Sequence, residues 1–382
     1  MLLVVLSGCL LFVLKLNVNF VLAADLVSSN SLWGLFASDR MATFFAVLTS
    51  LLVFICVSLL GPRTYNPFFY LIIFLSLSFF LSHTFFSLNM LVFYAMFEFT
   101  LIPMFLLILL WGSRQRKLHA MYMFFFYTVV GSIFLLGGLL LFHFLTGSFI
   151  ITSINFVILT ANFFAFLVWT CFFLGFAFKV PIVPFHTWLP EAHVEAPTVG
   201  SMILAGLLLK VGTFGMLRFM FPGLNYYNLA LSCGVFALAV FSIFYASLIA
   251  IRQLDMKKII AYSSVAHMGL VIIGLFSLTF LGFVGSYFTM ISHGVVASAL
   301  FFLVGVLYER YHTRNLSYYG GLISLMPVYG VIFFLFILAN IGFPFTSNFI
   351  GELLILVGIT SCNIFVALCC LFSVVLPPIY SV

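Results

Sequence analysis

The chain has 382 residues, of which 65% are hydrophobic and only 6% are charged, and its mean hydropathy is +1.34. A water-soluble protein carries about 25% charged residues, and here the apolar residues form repeated runs of about twenty, the length that crosses a bilayer. The composition therefore excludes a soluble enzyme, a nucleic-acid-binding protein and a disulfide scaffold, and it predicts a polytopic membrane protein.

Twelve apolar segments follow one another with short connections, so we expect a single membrane domain over residues 1–382. Backbone groups in lipid must be hydrogen-bonded within the segment, and the alternating ten-residue pattern of a barrel is absent from the sequence, so the segments predict helices and an all-α fold. The segments are 2–22, 41–60, 67–87, 90–111, 119–143, 163–185, 198–218, 229–250, 257–276, 279–309, 322–358 and 362–382.

The first segment contains two patterns that resemble processing sites, at Leu6–Cys9 and at Val21–Ala24. A secretory signal begins with positive charge, whereas the first basic residue here, Lys15, follows the apolar run. We therefore interpret residues 2–22 as a retained membrane helix.

Most of the basic residues lie in or beside four loops, which follow the second, fourth, eighth and tenth segments. All four loops then fall on one face of the membrane, as the positive-inside pattern requires, and both termini share that face. The net charge of +6 thus orients the chain. The residues are Arg63; Arg114, Arg116 and Lys117; Arg252, Lys257 and Lys258; and Arg310 and Arg314.

Two segments are interrupted. Prolines break the sixth segment at 180–184, and a Gly-Phe-Pro sequence breaks the eleventh at 342–348, because proline removes a backbone donor and clashes with the preceding turn. The breaks are five segments apart, which predicts two inverted five-helix repeats, the plan of many transporters. The expected divisions are amino-terminal helices over 1–66, a first repeat over 67–228 and a second over 229–382.

From the second segment onward, four charged residues lie inside apolar segments and away from their ends: Glu98, Lys179, Lys210 and Glu352. Each costs a few kcal/mol in the bilayer unless it is paired or hydrated, so such residues mark proton or ion routes. The alternative is a structural buried ion pair. Glu98 is the expected partner of Lys179, Lys210 is an expected intermediate, and Glu352 follows the second break.

Histidines extend this set. His267 and His293 lie within apolar segments, and imidazole titrates nearest to neutral pH, which suits a proton relay. A hydrogen-bonded core histidine is the alternative for each. A further polar cluster, His186, Glu191, His193 and Glu195, has spacing that could suit a metal but lacks the HExxH geometry. It predicts a proton-gathering entry or a helix-packing loop.

Signals for bound cofactors are missing from the sequence. No P-loop or GxGxxG motif occurs, and histidine pairs for haem and cysteine clusters for iron–sulfur are absent. The seven cysteines lie mostly in apolar runs and are expected to be small core residues. The chain is therefore predicted to move ions with no metal or cofactor of its own.

These residues resemble the antiporter-like proton-pumping subunits of respiratory complex I, and among them subunit 4. The most specific match is FKVPIVPFHTWLPEAHVEAPT, residues 178–198, continued by Leu209–Gly212. Supporting matches occur at Phe97–Pro103, Ser292–Gly294, Leu307–Arg310 and Gly342–Glu352, so that the resemblance covers roughly residues 40–360.

The resemblance implies a fourteen-helix fold around two inverted repeats, a Glu98–Lys179 pair, a central relay through Lys210, His267 and His293, and a terminal site at Glu352. Glutamate at the last position, where related pumping subunits carry lysine, favours subunit 4 over subunits 2 and 5. Compared with that fold, one helix is expected to be missing at each end, which puts contacts at both edges in doubt.

The resemblance also implies partners. They are the other membrane-arm subunits, including subunits 2 and 5, with FMN, iron–sulfur clusters and ubiquinone held elsewhere in the assembly, and membrane lipids such as cardiolipin. We expect no nucleic-acid partner. The abundant phenylalanine (53 residues) favours the mitochondrial inner membrane, with a bacterial plasma membrane as the alternative.

Two other functions stay open from the sequence. One is a subunit of a multisubunit sodium/proton antiporter, whose chains share these motifs. The other is a scaffold that has lost pumping, against which the retained membrane charges argue. The leading hypothesis is a proton-translocating subunit of NADH:ubiquinone oxidoreductase, with the redox chemistry in other subunits.

Overall fold

A computed structural model of the chain describes residues 35–36, 39–59, 66–150 and 163–381. Within these ranges the chain is nearly all helical, and its only extended pairing is three isolated bridges. Nine of the described helices are long and apolar enough to cross a membrane, and three shorter helices are also apolar. The all-α, polytopic fold class is confirmed. The predicted helix at 2–22, with Lys15, and the loop residue Arg63 lie outside the described residues.

Each predicted segment from residue 41 onward coincides with a helix or a pair of helices. In chain order they are α1 (Arg40–Ser58), α2 (Pro67–Phe86), α3 (Met90–Trp111), α4 (Lys117–Thr146), α5 (Phe163–Lys179), α6 (Trp188–Glu195), α7 (Thr198–Gly223), α8 (Ser232–Ile251), α9 (Met256–Phe276), α10 (Phe280–Tyr311), α11 (Pro327–Ile341), α12 (Ser347–Thr360) and α13 (Ile364–Ser381). Short turns of helix lie at Leu316–Tyr318, Leu322–Leu325 and Asn225–Ala230.

Local sequence signals set several helix ends. Pro67 and Pro327 occupy the first position of α2 and α11, where proline loses no hydrogen bond because that N–H is unpaired in any helix. The side chains of Asn89 and Asn363 accept hydrogen bonds from the first backbone N–H groups of α3 and α13, as capping residues do.

Both predicted breaks are present. Helix α5 ends at Lys179, residues 180–187 form turns, and α6 begins only at Trp188. Helix α11 ends at Ile341, and Gly342 takes a left-handed conformation (φ +76°) before α12 begins at Ser347. Each break ends a helix among apolar residues. The backbone N–H and C=O groups at these helix ends have no partner within the helix, so polar side chains at the same depth can bind them.

Helix α7 is the most completely buried of the nine candidate spans in the described ranges, since every residue of an 18-residue stretch is buried. It contains two π-helical turns, Leu204–Leu208 and Met216–Met220. A π-turn widens the helix and weakens the regular backbone hydrogen bonds, and it is frequent at functional sites. Lys210 follows the first of these turns.

The chain divides into two compact units. The first contains the residues up to Lys179 together with Phe214–Asn225, and the second contains Val180–Thr213 together with the residues from Tyr226 onward. In the second unit α10 packs closely on α12, because Gly285 and Gly351 face one another: a Cβ added to Gly285 would lie 2.9 Å from the carbonyl oxygen of Gly351. Small residues permit such close helix contacts in membranes.

Two basic residues are buried although the sequence placed them in loops. Lys257 and Arg314, interpreted as loop cations that orient the chain, are buried, with exposed fractions of 0% and 1%. Their side chains reach the backbone carbonyl groups of Ala196 and Val194, which accept hydrogen bonds from them. Hydrogen bonding of this kind offsets part of the cost of burial.

The prediction that the cysteines are core residues is only partly right. Of the cysteines in the described ranges, Cys56 and Cys370 are buried, whereas Cys233 and Cys362 are exposed at the protein surface. In a membrane protein that surface faces lipid over the spanning helices, so a thiol can be exposed there without contacting water.

Candidate functional site

Four of the six predicted relay residues meet in the second unit. The Lys210 Nζ atom lies 2.9 Å from His293 Nδ1, and the rings of His293 and His267 are 5.5 Å apart between centroids. The His267 Nδ1 atom lies 3.1 Å from Glu352 Oε1. We call Lys210, His293, His267 and Glu352 the relay line. All four side chains are at least 95% buried.

Four different helices supply the relay line: α7, α10, α9 and α12 in that order. His293 and His267 lie near the middle of α10 and α9. Since a helix rises 1.5 Å per residue, both imidazoles sit about halfway along their spans. The line therefore runs from helix to helix at mid-depth.

The π-turn of α7 shapes the start of the line. The Lys210 ammonium bends back to the Ala205 carbonyl and also donates to His293 Nδ1. A buried ammonium needs such acceptors, and the widened turn makes the Ala205 carbonyl accessible to a side chain. The charge is thus held beside an imidazole that can take its proton.

The second break shapes the other end of the line. A Cβ added to Gly342 would lie 2.8 Å from Glu352 Oε2, so the second carboxylate oxygen lies against the backbone of the break. Gly351, beside Glu352, is packed so tightly that an added Cβ would lie 2.4 Å from Thr289 Cγ2. The break and the close α10–α12 contact together fix this carboxylate.

The hydrogen bonds along the line are oriented. The ammonium of Lys210 donates to His293 Nδ1, which places the ring proton of a neutral His293 on Nε2. His267 donates from Nδ1 to the carboxylate, which leaves Nε2 of a neutral His267 as an acceptor. Neither Nε2 atom has a hydrogen-bond partner in the described part of the chain. A donor nitrogen and an acceptor nitrogen thus remain free on adjacent rings.

The other two predicted residues, Glu98 and Lys179, lie in the first unit. They interact electrostatically, but neither Lys179 Nζ nor Glu98 Oε1 makes a hydrogen bond to any described residue. The Lys179 ammonium lies instead 4.1 Å from the centroid of the Phe97 ring. The expected direct pair is therefore replaced by a cation–π contact, which stabilises a desolvated ammonium by about 2 kcal/mol.

Polar neighbours surround Glu98. The Ser132 hydroxyl from α4 lies beside the Glu98 carboxylate and the hydroxyl of Tyr94, which is one helical turn earlier on α3. Glu98 is half-buried, whereas Lys179 is buried. This arrangement gives the lysine two alternative partners, an aromatic face and a carboxylate.

Sequence reasoning missed two polar residues near Glu352. Tyr380 interacts electrostatically with Glu352, and the Tyr380 hydroxyl lies beside Ser263. A cavity of about 80 Å³ is lined by residues that include Ser263, Asn340 and Tyr380. Both amide atoms of Asn348 lack partners among the described residues. Tyr380 carried no signal because it lies near a segment end, but Asn348 lies in the motif that contains Glu352.

The polar cluster in and just before α6 is mostly buried. His186, His193 and Glu195 are buried, and Glu191 pairs with Lys258 at 3.2 Å near the surface. Within the described ranges no group of three or more His, Cys, Asp or Glu side chains is arranged to hold a metal ion.

The two histidines of this connecting segment are held neutral. Burial lowers the pKa of His186, and burial together with the Lys257 and Lys210 cations lowers the pKa of His193 well below its ordinary value.

Comparison with known proteins places this site in a family. Residues 87–377 match the family described as NADH:quinone oxidoreductase/Mrp antiporter, TM. The chain is 50% identical over 348 residues to NADH-ubiquinone oxidoreductase chain 4 of Arabidopsis thaliana, covering 90% of this chain and 69% of that one. It is 45% identical over 347 residues to NADH-quinone oxidoreductase subunit M of Rickettsia typhi, with the same coverage.

Solved structures agree. A chain of respiratory complex I from Thermus thermophilus with bound NADH superposes with a TM-score of 0.85 at 30% identity, over 97% of this chain and 82% of that one. A chain of the Mrp complex from Dietzia sp. DQ12-45-1b has a TM-score of 0.88 at 19% identity, over 99% and 73%, and shows the shared fold. The chain therefore belongs to the antiporter-like membrane subunits of NADH:quinone oxidoreductases and Mrp antiporters, and within them to the subunit 4 relatives.

Proposed function

We propose that the chain is a proton-translocating membrane subunit of NADH:ubiquinone oxidoreductase (complex I), in the mitochondrial inner membrane. It couples quinone reduction, carried out in other subunits, to proton movement. The identity of about 50% to proteins named as chain 4 of that oxidoreductase supports the assignment. The single observation that carries the mechanism is the relay line, a continuous row of buried titratable side chains with oriented hydrogen bonds.

A proton crosses the line in three transfers. Lys210 gives a proton to His293 Nδ1, and His293 releases its Nε2 proton to His267 Nε2, directly or through one water, since a bridging water costs little free energy. His267 then passes its Nδ1 proton to Glu352. The line is reset when Glu352 releases its proton, both imidazoles return to their starting tautomers, and Lys210 takes up a new proton.

In the first unit Lys179 acts as the controlling charge. Its ammonium alternates between the face of Phe97 and the carboxylate of Glu98. The electric field at the surrounding groups differs between the state in which Lys179 contacts Glu98 and the state in which the two are apart. That difference is felt at a distance because a low-dielectric interior screens charges weakly. Events in the rest of the assembly would drive this exchange.

The assembly supplies what this chain lacks. FMN, iron–sulfur clusters and ubiquinone are bound by other subunits, and the neighbouring antiporter-like subunits 2 and 5 flank this one. Anionic lipid such as cardiolipin would occupy part of the exposed apolar surface.

The test is a Lys210→Met variant in the assembled complex, reconstituted in vesicles. Methionine keeps the apolar volume and removes the proton carrier. We expect the pumping rate to fall at least tenfold, a conservative bound because a positioned proton-transfer group contributes about 10²–10⁴-fold. The matched control is Lys258→Met, which removes a part-exposed lysine outside the line.

Two results would contradict the proposal. One is an assembled Lys210→Met complex with an unchanged rate and ratio. The other is sodium-dependent proton transport by the chain without NADH, which would assign it to a sodium/proton antiporter.

A further inference from the structure

Asn348, in the first turn of α12, is a buried asparagine whose amide has no partner among the described residues. Its side chain is 2% exposed, and neither the amide oxygen nor the amide nitrogen makes a hydrogen bond to any of them. Buried polar groups are nearly always paired, so an amide that is unpaired at both atoms requires an explanation. Packing alone would be served as well by leucine, which has almost the same shape.

Asn348 belongs to the one face of α12 that is turned into the protein. The buried residues of this helix recur every three or four positions, as a single helical stripe does. They are Asn348, Gly351, Glu352, Ile355, Gly358 and Ile359. The contacts of the later members of this stripe therefore show which helices Asn348 faces.

The stripe packs on α10 in a fixed antiparallel register. Three pairs of residues lie in close contact: Gly358 and Gly282, Ile355 and Gly285, and Gly351 and Thr289. In each pair a Cβ added to one glycine would lie 2.6–2.9 Å from the backbone nitrogen of the other residue. Three residues beyond the last pair, at the same rise per residue on both helices, Asn348 is level with Ser292 and adjoins His293.

The contact with α9 gives the same depth independently. A three-residue connection joins α9 to α10, so α9 runs parallel to α12, and a Cβ added to Gly274 would lie 2.9 Å from Ile355 Cγ1. His267 precedes Gly274 by seven residues, as Asn348 precedes Ile355. Seven residues are about two turns, which return to nearly the same face of a helix. Asn348 is therefore level with His267 as well.

Asn348 thus lies at the depth of the only ring-to-ring step of the relay line. The rings of His293 and His267 are 5.5 Å apart between centroids, and the Nε2 atom of each is unpaired within the described residues. A water that bridges the two rings uses two of its hydrogen bonds, and a buried water typically makes about three. An amide can supply the third, because it offers both a donor and an acceptor.

We propose that Asn348 is a positioning residue, which holds the water that carries the proton from His293 to His267. This inference rests on the proposed function. An N–H bond at His293 Nε2 breaks as an O–H bond forms on the water, and another O–H bond of the water breaks as an N–H bond forms at His267 Nε2. The Asn348 amide keeps its own protons. After the transfer the two rings have exchanged donor and acceptor, and the amide can pair with the water in that state too.

The decisive comparison is Asn348→Val against Asn348→Thr in the assembled complex. The two side chains have the same shape, and only threonine keeps a group that donates and accepts. We expect the pumping rate of Asn348→Val to fall about tenfold, the effect on a rate of one lost hydrogen bond. Asn348→Thr should stay within about twofold of the wild type, because its hydroxyl can hold the water.

Pumping in light and heavy water gives a second readout, which a packing defect would not move. Transfer between the rings should limit the rate in Asn348→Val, so the ratio of its rates in light and heavy water should exceed that of the wild type. A defect of packing alone would slow pumping equally in both solvents.

Three results would overturn the inference: wild-type pumping in Asn348→Val, equal losses in Asn348→Val and Asn348→Thr, or a slowed Asn348→Val whose solvent ratio is that of the wild type. If Asn348→Val does not assemble, Asn348→Leu takes its place in both readouts. If neither variant assembles, Asn348 is a packing residue and the inference is wrong.

The same assay separates this inference from the proposed function. Impaired pumping in Lys210→Met together with normal pumping in Asn348→Val overturns only the role of Asn348. Normal pumping in Lys210→Met overturns the relay itself.

Discussion

The contact between His267 and Glu352 allows a quantitative prediction for Glu352→Gln. The glutamine retains the shape of the side chain and an oxygen acceptor for His267 Nδ1, and it removes the negative charge. At 3.1 Å the interaction of a full ion pair would be about 5 kcal/mol at an effective dielectric constant of about 20. Desolvation cancels much of this.

The net effect is then close to the difference between a charge-assisted and a neutral hydrogen bond, about 1–2 kcal/mol. A difference of that size changes a population by a factor of about 5–30. We therefore expect the pumping rate to fall at least 5- to 30-fold, because the contact is weakened and because glutamine, unlike the Glu352 carboxylate, cannot accept the Nδ1 proton of His267.

The assay is proton uptake by vesicles that contain the assembled complex, with the electron-transfer rate measured in parallel. The matched control is Glu309→Gln, the same chemical change at an exposed carboxylate of α10. The control should pump normally. A Glu352→Gln complex that assembles and pumps at the rate of the control would refute the reasoning.

Three further predictions follow from the packing. Gly351→Ala should lower the thermal stability of the purified complex by about 1–3 kcal/mol, the usual cost of overpacking. The control is Gly137→Ala, where an added Cβ meets nothing within 4 Å, and it should leave the stability unchanged. Equal melting temperatures for the two variants would contradict the close α10–α12 contact. Gly342→Ala should cost about 1–2 kcal/mol, since its φ is +76°, and an unaltered melting temperature would count against it. Phe97→Leu should remove about 2 kcal/mol of cation–π stabilisation from Lys179 and slow pumping, while Phe97→Tyr keeps the ring and should preserve it; equal rates for the two variants would exclude a role for the ring.

The helices were predictable because lipid imposes a simple rule. A span must be apolar for about twenty residues, and the prolines and Gly342 that interrupt two segments end helices at the expected places. The organisation as two inverted repeats, over 67–228 and 229–382, stays a prediction.

The types of residue in the candidate site were predictable, and their pairing was not. A charge in an apolar segment is costly enough to stand out, which identified Lys210 and Glu352. The rotation of each helix about its axis decides which residues meet, and a helix that is apolar on every face carries no pattern that reveals it. The Phe97 contact of Lys179 was missed for this reason.

Burial at helix ends was also hidden from the sequence. Lys257 and Arg314 were interpreted as orienting charges because they lie between apolar segments. Their partners are the backbone carbonyl groups of Ala196 and Val194, and any residue can supply a carbonyl. Both carbonyl groups lie at the carboxyl end of α6, where the last carbonyl groups of a helix have no partner within it.

The central claim is that Lys210 and Glu352 belong to one route, and a double-mutant comparison tests it most directly. Pumping would be measured in assembled complexes that carry Lys210→Met, Glu352→Gln or both. Residues that act as a unit are not additive, so the account predicts that the double variant pumps no more slowly than the slower single variant. A double variant whose loss equals the product of the two single losses would show two independent routes and would contradict the account.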